Sequence, residues 1–312
     1  MAHQRSVDPT HHRPRQSQIS PALEVVIVSF RSYPILRRCL QSLRQNVVDA
    51  LPVVIHVVDN ASNDGTAEAV DLNFPEVVLH RQPTNSGFAA GNNLVLRTID
   101  APFVLVLNPD TEVPAGILEH LLAVLEQDES VGMIGCRLVR DDGTFDHASK
   151  RSFPSARDAA HYFLRHGPAS RSNYLAHEVG EFGFGRVDAI NGAFMLIRTS
   201  AMRQVGYFDE RYWMYAEDLD WCKRFADAGW KVLYDGRTSA LHLKGGTTGT
   251  HRDLRLNWHF HKSMAIFYRS HNAGHNRALD ALVYCGIGAR MCVMAFHGVV
   301  HRARLKADRH TR

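Results

Sequence analysis

"PVVIHVVDNASNDGT", residues 52–66, is the stretch on which the fold turns. Its first half is a nearly unbroken apolar run rich in β-branched residues, the pattern of a strand buried on both faces of a parallel sheet. The strand ends on a carboxylate, Asp59, with Asn60, Ser62, Asn63, Asp64 and Thr66 crowded behind it. Taken alone, such a loop needs no ligand, because Asp, Asn and Ser form Asx-turns and cap the helix that follows.

The neighbouring segments change that reading. "EVVIVSF" (24–30), "EVVLH" (76–80) and "PFVLVLN" (102–108) are further buried-type strands. Helical spacing appears in Leu36, Cys39, Leu40 and Leu43, and helices are expected over 66–72, 88–99 and 115–127. Strand–helix alternation of this kind predicts an α/β fold with a mostly parallel central sheet flanked by helices. Ligands of such sheets gather beyond the carboxyl ends of the strands. Three strands end there on polar residues: Ser29 to Arg31, Asp59 and Asn60, and Asn108 to Asp110. Three polar ends on one edge point to a binding site.

Neither G-x-G-x-x-G nor the G-x-x-x-x-G-K-[ST] phosphate loop is present. "NSGFAAGNN" (85–93) places a Gly-turn before a helix N-terminus, which suits an anion or a ribose. A diphosphate bound without a phosphate loop calls for a metal held on carboxylates, and "NPDTEV" (108–113) offers Asp110.

Composition bounds the rest. The 312 residues are 45% hydrophobic, enough for one large core or two modest ones. Five cysteines without a C-x-x-C pair argue against a disulfide framework or zinc site and fit a reducing compartment. Of the net charge of +4, residues 1–20 carry +2 and residues 286–312 carry +5, leaving the body mildly acidic at −3. That distribution suggests an anionic surface as neighbour and not nucleic acid. Residues 1–20 have no apolar run of the signal-peptide kind and read as a disordered basic tail.

The blocks "VVIVSFRSYPILRRCLQSL", "VVDNASNDGT", "NSGFAAGNN", "VLVLNPDTEV", "NGAFMLIRTSAMRQVGYFDERYWMYAEDLDWCKRFADAGW" and "ALHLKGGTT" resemble, in order, family 2 glycosyltransferases of the GT-A nucleotide-sugar-binding fold. The resemblance covers roughly residues 24–250 and is nearest to the bacterial rhamnosyltransferase-like branch. It implies a catalytic domain over 21–265, followed by a helical, basic region over 266–312. It implies transfer, with inversion, of a sugar from a nucleotide-diphosphate donor to a glycan or polyprenyl-diphosphate-linked acceptor of the cell envelope. Deoxythymidine-diphosphate-rhamnose is the first choice of donor and a uridine-diphosphate sugar the second. A sugar-phosphate nucleotidyltransferase is disfavoured because "SFRSYPIL" lacks glycine, and a catalytically silent binding protein is the remaining rival.

By the same resemblance, Ser29, Arg31, Asp64, Gly87 and Asn92 line the nucleotide pocket, and Asp59, flanked by Asn60, accepts a hydrogen bond from a pyrimidine N–H. Asn108 and Asp110 stand where the family carries D-x-D, so only Asp110 brings charge; with His242 it would hold Mg²⁺ or Mn²⁺. Inverting displacement requires a base on the face opposite the leaving group. The second acid of "AEDLD" takes that role in the family, giving Asp218 as base with Glu217 and Asp220 as supporting groups. The same stretch also reads as an amphipathic helix with an acidic first turn. Trp213, Tyr215 and Trp221 read equally as core aromatics or as a platform for a sugar.

Residues 145–185 follow no period and are read as an acceptor-binding loop or a surface insertion. At the C-terminus, 278–300 is apolar but interrupted by Asp280 and Arg290, and its longest run, 281–289, is short for a membrane span. Arg290, His297, His301 and Arg304 share one side of a helical wheel, which describes a helix lying on an anionic membrane surface. The alternatives are a helix docked on the catalytic domain or pairing with a second subunit in a homodimer. The expected location is therefore cytoplasmic, peripheral on the inner face of the plasma membrane.

Overall fold

The computed structural model describes residues 20–154, 176, 178–243, 254–274 and 276–310. Four parallel strands form the first half of the sheet: β1 (Leu23–Ser29), β2 (Val53–Asp59), β3 (Val78–Arg81) and β4 (Phe103–Leu107). They alternate with α1 (Tyr33–Asn46), α2 (Thr66–Asn73) and α3 (Gly87–Leu96). Strands and helices lie where the sequence predicts, to within three residues at each end. α1 illustrates the cause. Proline at its start supplies a preset helical φ, and Leu36, Cys39, Leu40 and Leu43 form one buried stripe. Truncating Leu40 to Ala would cost about 2–5 kcal/mol through the cavity it leaves.

The second half is mixed. β5 (Thr111–Glu112), α4 (Ile117–Gln127) and β6 (Val131–Val139) lead to the short β7 (Lys150–Arg151), β8 (Phe184–Arg186) and β9 (Ala189–Ile190). β10 (Phe194–Arg198), α5 (Thr199–Val205), α6 (Glu217–Asp227) and β11 (Lys231–His242) complete the α/β region. The sheet runs β3-β2-β1-β4-β10-β6-β11-β5, with β8 also on β11, and β10 is antiparallel to both β4 and β6. Because side chains alternate across a strand, the sheet feeds two cores. Leu23, Val25, Ile27, Leu105 and Leu107 pack with α1 and α4; Val26, Val28, Val104 and Val106 pack on the other face with Met195, Trp221 and Phe225.

Two helices follow, α7 (Leu254–His271) and α8 (Arg277–His310), packed on one another. The expected boundary at 265/266 falls inside α7. The expected N-terminal tail lies outside the described residues, apart from Ser20, as does most of 155–177. All five cysteines are free thiols.

Candidate active site

Strand register brings the site residues to one edge. Ser29 pairs with Asp59 across β1 and β2, so both strand ends stop at the same level. The β2–α2 loop then winds through left-handed conformations at Ala61, Asn63 and Gly65. Ser62, fully buried, accepts the Arg31 backbone N–H at 2.9 Å on its hydroxyl and the Arg31 Nε–H at 3.1 Å on its carbonyl. Ser29 Oγ lies 2.9 Å from Ser32 Oγ. Asp64 accepts from Thr66 N and Oγ1, an Asx-turn of the kind the loop chemistry predicts, while Gly65 stands at the N-cap of α2 without a side-chain cap.

Asp59 differs from Asp64. Its Oδ2 accepts the Ser62 N–H at 3.2 Å, while its Oδ1 is buried without a hydrogen-bond partner. Asn92 repeats the pattern: Nδ2 donates to Phe88 O at 2.9 Å and Oδ1, also buried, has no partner. A buried unpaired oxygen costs about 1–3 kcal/mol, so two on one edge mark places where a ligand donor belongs. Asn60 has no such vacancy. It donates to Asn85 Oδ1 and Gly87 O and accepts from Ser86, clamping the β2 end to the 85–87 turn. At Gly87, with φ of +88°, a Cβ would lie 2.2 Å from the Trp213 carbonyl; only glycine lets these segments touch. Trp213 is stacked on His259 at 4.4 Å with the Arg255 guanidinium over its ring, so its indole packs against α7. Trp221 is wholly in the core.

β5 pairs with the end of β11, setting His242 opposite Thr111 and beside Asp110. His242 Nε2 stands 3.5 Å from Asp110 Oδ1 and Nδ1 stands 3.3 Å from Asp146 Oδ2. Burial disfavours charge on this ring, but hydrogen bonding to the two carboxylates and their charge outweigh it, raising the imidazole to about 9. Asp110 Oδ1 is otherwise buried and unpaired. Asn108 sits one turn away, its N–H bonded to Ala193 O. Among the described residues no three His, Cys, Asp or Glu side chains converge as a metal cage. Asp110 Oδ1 and His242 Nε2 fit a divalent cation that takes the place of the Nε2 proton, with Nδ1–H still held by Asp146.

The acids of α6 form a second group of candidate site residues, in the buried first turn of that helix. Tyr215 and Ala216, both at positive φ, turn the chain sharply so that Glu217 opens the helix. Asp218 Oδ2 accepts from Arg151 Nη2 at 2.6 Å and Gly192 N at 3.0 Å, and Oδ1 accepts from Leu219 N at 2.7 Å. A carboxylate has about four acceptor positions, so one remains on Oδ1. Glu217 is buried with Oε2 unpaired, and burial together with the Asp218 charge pushes its carboxyl up to about 8. Asp220 faces the other way: it accepts from Arg224 Nε and pairs with His271 Nε2 at 2.8 Å, tying α6 to α7.

Sequence reasoning missed Arg151 and Asp146, both inside the aperiodic 145–185 segment. β7 pairs with β9 and thereby carries Arg151 to Asp218. The available signal was charge: three acids in the buried first turn of one helix require a cation, and none lies within that turn.

Comparison with known proteins gives the same picture. Residues 24–194 match the profile described as Glycosyl transferase family 2. The N-acetylglucosaminyl-diphospho-decaprenol L-rhamnosyltransferase of Mycobacterium tuberculosis (strain H37Rv) is 32% identical over 281 residues, 83% of this chain and 88% of that protein. The rhamnosyltransferase WbbL of Escherichia coli (strain K12) is 27% identical over 59% of this chain and 70% of its own length. In fold, the mannosyltransferase of Pyrobaculum calidifontis, solved with GDP-Man and Mn²⁺, superposes with a TM-score of 0.55 at 16% identity, covering 92% of this chain and 75% of that one. The architecture is the GT-A nucleotide-sugar-binding fold, and the chain belongs to glycosyl transferase family 2.

Proposed function

We propose that this glycosyltransferase moves rhamnose from deoxythymidine-diphosphate-rhamnose to a hydroxyl of a polyprenyl-diphosphate-linked glycan, with inversion at the anomeric carbon. The observation that carries this reading is the 32% identity, over most of both chains, with an L-rhamnosyltransferase acting on a decaprenol-diphosphate-linked sugar. The geometry supports it. Asp59 Oδ1 supplies an acceptor for a pyrimidine N–H, and Asn92 Oδ1 a second acceptor for donor hydroxyls. Ser29, Arg31, Asp64, Gly87 and Asn108 shape the loops around them.

Asp110 and His242 would hold Mg²⁺ or Mn²⁺, which when bound neutralises charge on the leaving diphosphate. Asp218 takes the acceptor proton on its remaining Oδ1 position as the hydroxyl attacks. Arg151 and the Gly192 N–H fix the carboxylate's orientation. Glu217 lies beside it as a largely protonated neighbour near neutral pH.

The test is a thermal-shift panel of nucleotide-sugars with and without Mg²⁺ or Mn²⁺, followed by transfer to N-acetylglucosaminyl-diphospho-polyprenol read by mass spectrometry. Stabilisation by deoxythymidine-diphosphate-rhamnose and addition of one deoxyhexose are expected. Stabilisation by uridine-diphosphate sugars alone would overturn the donor assignment, and no transfer from any donor would overturn the enzyme reading.

A further inference from the structure

We infer that α8 lies in the surface of an anionic bilayer and that α7 fixes the active site relative to it. The first observation is the exposure of α8. By length and composition Arg277–Phe296 is apolar enough to cross a membrane, against the expectation from its interrupted sequence, yet only 11% of its most apolar window is buried. It is therefore not a core helix. Val283 and Ile287 are buried, whereas Leu282 and Phe296 are 68% and 69% exposed. At 100° per residue, Leu282, Cys285, Ala289, Cys292, Val293 and Phe296 fall on one side, opposite Val283 and Ile287, and all are exposed. The stripe carries no charge and runs roughly 21 Å along the helix.

The second observation excludes a span. The first half of α8 is bound to α7: Asn257 Nδ2 donates to Met291 O at 3.1 Å, and Tyr268 OH donates to Asp280 Oδ1 at 2.7 Å. α7 carries Arg255, Asn257, His261, Lys262, Arg269 and His271, which hydrocarbon does not accept. A helix held to such a partner lies along the interface with one face inserted.

The third is charge. The same helix continues through Arg302, Arg304, Lys306 and Arg309, and residues 286–312 carry +5 on a chain whose body is acidic. An apolar face with basic residues following it is complementary to anionic headgroups; a second copy of this chain would bring a like charge to that end.

α7 makes the attachment matter to the site. Ser263 Oγ donates to Met214 O at 3.0 Å, His271 pairs with Asp220, and His259 stacks on Trp213. Each contact falls within a few residues of Glu217 and Asp218. Such a helix pair sets the acids of α6 at a fixed height above lipid, where a lipid-linked acceptor would be presented. The docking claim itself does not rest on the proposed reaction.

The test uses the full chain and sedimentation with vesicles of phosphatidylglycerol and phosphatidylcholine. Wild type should sediment at low salt, not with phosphatidylcholine alone, and be released by about 1 M salt, where charge attraction is screened. The variant Leu282→Ser with Phe296→Ser should lose binding about tenfold or more, with nucleotide-sugar thermal shift unchanged. Leu72→Ser, at an exposed site on α2, should sediment as wild type. Three results would overturn the inference: no sedimentation at low salt, a double variant that still sediments, or binding that resists salt and alkaline carbonate as a span would. Dimerisation of wild type, lost in the double variant with no vesicle binding, would assign the face to a second copy instead.

Discussion

In the proposed function the strand-end residues, as a nucleotide wall, and the acids of α6, as an acid wall, solve opposite problems. On the nucleotide wall, Asp59, Asn92 and Asp110 each keep one buried oxygen without a hydrogen-bond partner. On the acid wall, Asp218 already accepts three hydrogen bonds, one from a buried guanidinium, and the unpaired oxygen there, Glu217 Oε2, belongs to a carboxyl pushed up to about 8 by burial and by Asp218. A wall that binds holds its unsatisfied acceptors in reserve, so that a ligand donor relieves a penalty of about 1–3 kcal/mol each. A wall that reacts fixes a carboxylate in one orientation before the substrate arrives. Backbone strain marks both: of the non-glycine residues at positive φ among those described, all but Ala176 lie in the 31–63 loops or at 215–216.

The sharpest way to break this contrast is Asp218→Asn. Turnover should fall by about 10² to 10⁴, measured as sugar transferred under saturating donor. A variant that transfers at a comparable rate removes Asp218 from the reaction. Arg151→Met should follow, since it leaves Asp218 buried without its counter-charge. Unfolding free energy should drop by about 3–5 kcal/mol, read by urea titration, and unchanged stability would show the pair to be dispensable. On the nucleotide wall, Gly87→Ala forces a Cβ onto the Trp213 carbonyl at positive φ. A loss of about 1–3 kcal/mol is expected, with a lower melting temperature.

The smallest effect is a slope. Glu217 is raised from 4.5 to about 8 by burial and by Asp218, so the folded state binds its proton more tightly than the unfolded state. That contribution to stability is complete below about pH 4.5 and is lost as pH rises through about 8. Glu217→Gln should flatten the decline over that window. An identical slope in the variant would assign the proton elsewhere.

Legibility followed the same division. β4 is a continuous apolar run, β1 and β2 are interrupted only by Glu24 and His56, and their ends carry the polar residues that betray the edge of a parallel sheet; those were readable. The role of Asn60 was less so, because a side chain beside a binding acid is as useful for clamping the 85–87 turn as for touching ligand. The acid wall was readable only as a motif. Its counter-ion arrives on β7, two residues long and paired with a two-residue partner, which leaves no periodicity to detect. His242 meets Asp110 through an equally short β5. Short strands that place one side chain each are specified by tertiary pairing and not by local pattern.

The claim that one wall binds and the other reacts is tested most directly by donor titration calorimetry on wild type, Asp59→Asn and Asp218→Asn, using deoxythymidine-diphosphate-rhamnose with Mg²⁺. Asp59→Asn should weaken donor binding about 10- to 100-fold, the worth of one buried hydrogen bond and its unmet acceptor. Asp218→Asn should change it by less than about twofold, because its interactions are made to the acceptor in the transition state. Equal weakening by both substitutions, or a larger loss from Asp218→Asn, would contradict the division of the site residues into these two groups.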